Sequence, residues 1–180
     1  MRRAVIGVAA LTAVAVAAGS YLLSRHHLPD APYAGLDQRE IKALAPERIE
    51  GLRSGEGLGY ALAAELNDVA GPKHALELDL GLTDEQRTAI ETIRQSMSAE
   101  AQRLGDALIE AERRLDTAFA SGTTPEDVNR LTAEAAAIEA QLRATHLNAH
   151  LAVDPLLTDE QRTLYAAARG YGSHGSHTGH

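Results

Sequence analysis

Twice in this chain the sequence reads Leu-Thr-Asp-Glu-Gln-Arg-Thr, at residues 82–88 and again at residues 157–163. In each copy the threonine can accept a hydrogen bond from a free N–H of a first helical turn, and the glutamine three positions later can bond back to the cap. The acidic pair after the threonine places negative charge at the positive end of the helix dipole. The sequence therefore predicts that one helix begins after Thr83 and another after Thr158.

Apolar residues recur every three or four positions after the first motif, which predicts one helix from Asp84 to about residue 120. Residues 121–125 end it and begin a second striped helix, which Pro155 ends. The second motif predicts a last helix at residues 159–169. Two long helices joined by a short loop form an antiparallel hairpin. We therefore expect an all-α fold, a long hairpin with short flanking helices, and a homodimer that covers the apolar stripe of so thin a hairpin.

The N-terminal sequence predicts export. Arg2 and Arg3 precede an apolar run at residues 4–23, so residues 1–24 read as a signal peptide or an N-terminal membrane anchor. The paired arginines are expected to stay inside, which places the remainder of the chain outside the cytoplasm. The chain has no cysteine, so it has neither a disulfide nor a thiolate metal site.

The rest of the chain divides by composition. Residues 25–56 are predicted to be a linker with short helical pieces at 36–44 and 46–52. Residues 57–169 form the main helical domain, with further short helices at 60–68 and 74–80. The tail at residues 170–180 is rich in glycine, serine and histidine, and we expect it to be disordered. Its histidines either bind metal weakly or are simply solvated.

Four side chains are candidate metal ligands. His146 and His150 are four residues apart on one helix, so their rings lie on the same side, a spacing that offers two imidazoles to one ion. His74 and Glu77 form a second pair, three residues apart. Imidazole with carboxylate suits zinc, nickel or cobalt, and an added thioether favours copper.

The hairpin predicts that the two pairs can converge. Folding it about its loop brings His146 opposite residues 95–99, and this range includes Met97, a candidate thioether ligand. The competing interpretation is ordinary packing, because His146 continues the apolar stripe and a methionine at that spacing is usually core. Histidine at the edge of a core is also commonly just hydrogen-bonded.

The paired Leu-Thr-x-x-Gln helix starts on an exported hairpin resemble the Spy/CpxP-like periplasmic proteins. Within that superfamily, His146 and His150 before the second motif resemble the CnrX-like branch of periplasmic metal sensors, as does Gly-Pro-x-His-x-Leu-Glu-Leu at residues 71–78 before the first. The resemblance covers residues 57–169. It implies a periplasmic metal-binding domain, which the N-terminal segment would tether to the inner membrane.

The resemblance also implies where ligands lie. CnrX-like proteins bind nickel or cobalt through histidines before the first motif, a glutamate on the long helix and a His-x-x-x-Met pair. Here His74 and Glu77 stand where that branch has His-x-x-x-His, and His150 stands at the methionine position. Arg94 or Gln95 occupies the place of the glutamate, so the metal stays open.

Two function classes are disfavoured. The net charge of −8 opposes binding to nucleic acid. The chain has no Gly-x-Ser-x-Gly or His-Glu-x-x-His motif, so we expect no enzymatic activity.

The sequence predicts a protein that binds a divalent transition metal for sensing or resistance, with zinc, nickel, cobalt or copper as the cofactor. The alternative is an ATP-independent chaperone of the Spy/CpxP type, whose dimer holds unfolded clients. A third alternative is a structural partner of an envelope protein. The expected partners are accordingly a second copy of the chain, a membrane or envelope signalling protein, or unfolded clients.

Overall fold

The computed structural model describes residues 31–170 and is helical in all the regular elements of that range. A 3-10 turn spans Leu36–Gln38 and another spans Asp154–Leu156. The α-helices are α1 (Pro46–Ser54), α2 (Leu62–Glu65), α3 (Pro72–Glu77), α4 (Asp84–Ser121), α5 (Pro125–Val153) and α6 (Asp159–Arg169). Within this range no helix is long and apolar enough to cross a membrane. The predicted signal or anchor at residues 1–24 and the tail from residue 171 lie outside the described residues.

Both predicted helix starts are confirmed as capping boxes. Thr83 accepts from the backbone N–H of Gln86, whose side chain accepts from the backbone N–H of Thr83. Thr158 and Gln161 repeat this arrangement at the start of α6. The repeated heptapeptide therefore has the same local conformation in both copies.

The two capping glutamines also join the two motifs to each other. The Gln86 amide donates to Gln161 Oε1 at 2.9 Å, and the Gln161 amide donates back to Gln86 Oε1 at 3.0 Å. Each amide also donates to the carbonyl of the residue just before the other motif, Leu156 for Gln86 and Gly81 for Gln161. We call this four-residue arrangement of Thr83, Gln86, Thr158 and Gln161 the motif junction.

The predicted all-α hairpin is confirmed, since α4 and α5 pack along each other with α1 against α4. The buried side chains of α5 follow the predicted stripe. One apolar cluster fills the middle of the hairpin around Leu52 and Leu142. A second cluster, around Ile90 and Tyr165, lies beneath α3 and α6. The hairpin therefore has two cores, one along its length and one at its base.

The approach of α1 to α4 depends on a glycine. A Cβ at Gly105 would stand 2.1 Å from the Leu52 carbonyl oxygen, which is closer than non-bonded atoms can approach. Because glycine has no side chain, the backbone of α1 rests directly on α4. This contact also positions residues 55–59, which follow α1 and line the cleft described below.

The short elements differ from the prediction. The helix expected at residues 60–68 is the single turn α2, because Leu58 and Asp68 have positive φ and interrupt the helix on both sides. The helix expected at 74–80 runs from Pro72 to Glu77 and then becomes extended. Residues 36–44 form turns after a 3-10 start rather than a helix, and they bury Ile41 in the hairpin core. Tertiary packing outweighs helix propensity in these segments.

Candidate functional site

A cleft of about 630 Å3 lies between α3, the first half of α4 and the last turns of α5. Its wall contains all four predicted ligands and the predicted thioether: His74, Glu77, His146, His150 and Met97. The hairpin thus brings together side chains that are up to 76 positions apart in the chain. The cleft is the candidate site.

His150 is held in one orientation by backbone on two sides. Its Nδ1 lies 2.8 Å from the carbonyl oxygen of Val69, and since a carbonyl only accepts, Nδ1 carries the proton. In the neutral ring the lone pair is then on Nε2. A Cβ at position 71 would stand 2.5 Å from the Cε1 and Nε2 atoms of the ring, so the ring lies directly against the backbone of Gly71. Only glycine leaves room for this packing.

His146 is buried, and its Nε2 has no hydrogen-bond partner among the described residues. Its ring stacks on Tyr60, with centroids 5.9 Å apart and planes 18° from parallel. Burial lowers the pKa of His146, and the nearby His150 lowers it further by a smaller amount, so the neutral ring is favoured. A buried polar nitrogen without a partner is uncommon, and an ion or a water is a usual explanation.

His74 is half-buried on α3, and Glu77 is exposed three residues later. Burial and the Arg169 guanidinium lower the pKa of His74, and together they outweigh the nearby carboxylates of Glu65 and Glu77. Like His146, this imidazole stays unprotonated at neutral pH. An unprotonated imidazole is the form that binds a metal.

Glu65 is a functional candidate that sequence reasoning missed. It is 7% exposed on α2, and its carboxylate faces the cleft beside both histidines: His74 Nδ1 lies 3.4 Å from Oε1, and His150 Nδ1 lies 3.9 Å from Oε2. Arg169 Nε donates to Oε1 at 2.7 Å, and the Tyr165 hydroxyl lies 3.0 Å from Oε2. This carboxylate therefore connects α2, α3, α5 and α6.

The charge of Glu65 is stabilised by its neighbours. Burial acts to raise its pKa, but the hydrogen bonds from Tyr165 and Arg169 outweigh burial and bring the pKa below its ordinary value. The Tyr165 oxygen in turn accepts from the Gly71 N–H at 3.2 Å. Burial raises the pKa of Tyr165, so its hydroxyl keeps the proton that it donates to the carboxylate.

A second polar group supports the face of His146 that stacks on Tyr60. The Tyr60 hydroxyl donates to Glu139 at 2.9 Å and accepts from Arg48 at 2.8 Å, while Arg48 bonds Glu139 at 2.7 Å. Burial and the bond to Glu139 raise the pKa of Tyr60 to about 12. The phenol ring is thereby fixed, and so is the face on which His146 stacks.

The sequence carried only a weak signal for these residues. Glu65 is the single charged residue in Ala-Leu-Ala-Ala-Glu-Leu at residues 61–66, and an acid in so apolar a stretch is a candidate for burial with a partner. Arg169 and Tyr165 are separated from it by about a hundred residues. Nothing in the spacing predicts that contact.

Within residues 31–170, no three His, Asp or Glu side chains are arranged to hold one ion as they stand. Glu65 lies 3.4 Å from His74 and 3.9 Å from His150. A metal would therefore require the side chains of the cleft to turn toward each other.

Comparison with known families gives one finding. The family model described as LTXXQ motif family protein matches residues 68–169, which is more than half of the chain. The chain belongs to the LTXXQ motif family. Proteins of this family are periplasmic and Spy/CpxP-like, so the predicted periplasmic class and the superfamily are confirmed. No curated protein and no solved structure shows significant similarity to the chain.

The LTXXQ match contains some parts of the cleft and not others. It includes the four predicted ligands and Arg169, whereas Glu65 and Tyr60 precede its first residue. The family's name is the motif that the structure shows at the motif junction. Membership of the LTXXQ family is common to metal-binding and chaperone interpretations, and the CnrX-like branch stays a prediction.

Proposed function

We propose that this protein binds a divalent transition-metal ion in the cleft and thereby senses or buffers metal in the periplasm. The proposed ligands are His74, His146 and His150, with Glu77 as a carboxylate at the rim. The observation that carries the proposal is the Nε2 of His146, which is buried at the cleft wall without a hydrogen-bond partner among the described residues. Binding an ion would satisfy this nitrogen.

The other histidines fit the same role. The bond from His150 Nδ1 to the Val69 carbonyl leaves Nε2 for a ligand, and ligating histidines typically donate their second nitrogen to a carbonyl or carboxylate in this way. The lowered pKa values of His74 and His146 keep both rings unprotonated at neutral pH. Neither ring would then have to lose a proton before it binds a metal ion.

The donor set indicates the class of metal. Imidazole nitrogens with a carboxylate suit zinc, nickel and cobalt. Met97 lines the same cleft, and a thioether there would favour copper. The proposal is therefore a borderline transition metal, with Met97 the residue that decides between copper and the others.

Calorimetric titration of the purified protein with zinc, nickel, cobalt and copper tests this function. The tail histidines would bind metal on their own, so the test protein carries His174→Ala, His177→Ala and His180→Ala; we call it the tail-substituted protein. We expect one equivalent of metal per cleft at neutral pH. The affinity is expected to fall once the pH drops from 6.5 toward the lowered pKa values of His74 and His146, where these imidazoles become protonated.

The double variant His146→Ala/His150→Ala, made in the same background, is the decisive comparison. An ion that binds only the folded state raises the melting temperature, and this rise should vanish in the double variant. If the tail-substituted protein shows no saturable binding of any of the four metals, the proposal is wrong.

The Spy/CpxP-type chaperone is the second candidate function. Leu62 and Leu66, one helical turn apart, are exposed beside the cleft wall, and such apolar surface can hold unfolded clients. Suppression of client aggregation that is equal in wild type and the double variant, and indifferent to chelator, would favour this function.

A further inference from the structure

The buried carboxylate of Glu65 carries an inference that rests on the proposed metal function. Glu65 places a carboxylate, a hard oxygen donor, at the wall of a cleft that also contains three histidines. None of the four predicted ligands supplies a buried oxygen donor. Glu77, the acid predicted from spacing, is exposed at the rim. Glu65 is 7% exposed and faces two of the proposed histidine ligands.

The distance between Glu65 and His74 suits two ligands of one ion. Zinc bonds nitrogen and oxygen at about 2.0–2.2 Å in a tetrahedron, which places two of its ligand atoms about 3.3–3.5 Å apart. Glu65 Oε1 and His74 Nδ1 are 3.4 Å apart. His150 approaches from α5. Its Nδ1, which donates to the Val69 carbonyl, lies 3.9 Å from Glu65 Oε2, and its Nε2 is the atom that remains for the ion.

Arg169 holds this same oxygen atom. Its Nε donates to Glu65 Oε1 at 2.7 Å, so a cation already neutralises the carboxylate at the point where the ion would bind. The Arg169 side chain is 29% exposed at the last turn of α6, so its guanidinium can swing into solvent. Tyr165 can remain bonded to the carboxylate and orient it, as groups behind a metal ligand commonly do.

We propose that Glu65 is a ligand of the metal ion and that Arg169 competes with the ion for its carboxylate. Two positive charges at one carboxylate repel each other, so binding of the ion displaces the guanidinium. Arg169 thereby sets the affinity of the cleft, and occupation of the cleft frees the C-terminal turn of α6 from α2.

The first test is Glu65→Gln in the tail-substituted protein, titrated with the metal that wild type binds most tightly. Glutamine keeps the size of the side chain and can still accept from Tyr165 and Arg169. We expect metal affinity to fall at least about tenfold, since even groups one step removed from a metal are worth that much. Glu100→Gln is the matched control: its carboxylate pairs with Arg103 on the exposed face of α4, away from the cleft, and its affinity should equal that of wild type.

The second test is Arg169→Gln, with Arg103→Gln as its control. Loss of the guanidinium removes the competitor, so metal binding should tighten several-fold. The same change should lower the melting temperature of the chelator-treated protein, because the buried carboxylate loses its counter-ion. A residue with a merely structural role would lower both stability and affinity, so the opposite signs identify competition.

The double variant Glu65→Gln/Arg169→Gln tests whether Arg169 acts through Glu65. The tightening should disappear in this background, because no carboxylate remains for which to compete. If Glu65→Gln does not fold, Arg169→Gln still decides: unchanged or weaker binding overturns the proposal. If wild type binds metal and Glu65→Gln binds it equally well, the proposal is wrong while the metal function stands. If wild type binds no metal, the metal function itself fails.

Discussion

The motif junction and the cleft differ in how their polar groups are satisfied. In the junction, the Gln86 and Gln161 side chains have partners for both their oxygen and their nitrogen atoms, and each cap bonds within its own motif. In the cleft, His146 Nε2 has no partner among the described residues, and Glu65 gathers contacts from three other helices.

This difference separates a structural site from the proposed binding site. A closed set of hydrogen bonds contributes stability and leaves no group to bind a ligand. A buried group with an unmet bond costs stability, and it is retained where a ligand meets that bond. The family's hallmark motif therefore holds the fold together, and the residues that would bind an ion lie outside it.

The largest expected effect is in the junction. Gln161→Ala removes two accepted and two donated hydrogen bonds, so the Thr158 N–H loses its capping acceptor and the Gly81 carbonyl loses its donor. We expect the free energy of unfolding to fall by about 2 kcal/mol. Urea denaturation measures it. Metal affinity should not change, and an effect on affinity as large as that on stability would erase the distinction between the two regions.

The control for this change is Gln102→Ala. Gln102 is an exposed glutamine of α4 whose amide makes only long contacts, at 3.3 Å to the Ser54 carbonyl and 3.5 Å to Ser98. Gln102→Ala should change the free energy of unfolding by no more than about 0.5 kcal/mol.

A smaller effect is expected from the caps. Thr83→Ala and Thr158→Ala each remove the hydroxyl that accepts from the third residue of a helix, and each should cost about 1 kcal/mol. Thermal unfolding of the chelator-treated protein measures the cost. The control is Thr92→Ala, inside α4. It should leave the melting temperature unchanged, because the higher helix propensity of alanine offsets the lost bond from the Thr92 hydroxyl to the Thr88 carbonyl. Equal melting temperatures for all three variants would contradict the capping role.

The smallest expected effect is a gradual dependence of the free energy of unfolding on pH, caused by the histidines of the cleft. The pKa values of His74 and His146 lie below the ordinary 6.5, whereas in the unfolded chain both rings protonate near 6.5. The unfolded state therefore binds more protons below that pH. The contribution of these two rings to stability is therefore complete above pH 6.5, and it is lost as the pH falls toward their lowered pKa values. Urea denaturation at pH 7.5, 6.5 and 5.5 with chelator measures it.

His146→Leu tests which ring causes this dependence. The variant removes a buried nitrogen that lacks a partner among the described residues, so its stability at pH 7.5 should stay close to that of wild type. Its loss of stability between pH 7.5 and 5.5 should be smaller than in wild type. An unchanged slope would mean that His146 does not titrate in this range.

The local parts of the fold could be predicted from the sequence. The caps at Thr83 and Thr158 depend on side chains three residues apart, and the stripe of α5 depends on spacing along one helix. The short segments could not be predicted, because the turn at Asp68 and the burial of Ile41 are set by the elements that pack against them. Local chemistry determines a helix start, but distant contacts determine whether a short helix continues.

The site divides in the same way. Spacing on single helices predicted the pairs His74 with Glu77 and His146 with His150, and the hairpin brought both pairs to one cleft. Glu65 escaped prediction because its partners come from helices about ten and one hundred residues away. Its burial is a property of the assembled protein.

The glutamine pair of the motif junction also implies an order of folding. Gln86 and Gln161 are 75 residues apart, so their bonds close a loop that contains the whole hairpin. The contacts between α4 and α5 next to residues 122–124 are close in sequence and cost little loop entropy. The hairpin is therefore expected to fold from its turn toward its base, with the junction forming last. Interactions that form last mainly slow unfolding, so the repeated motif determines how long the folded protein persists more than how fast it forms.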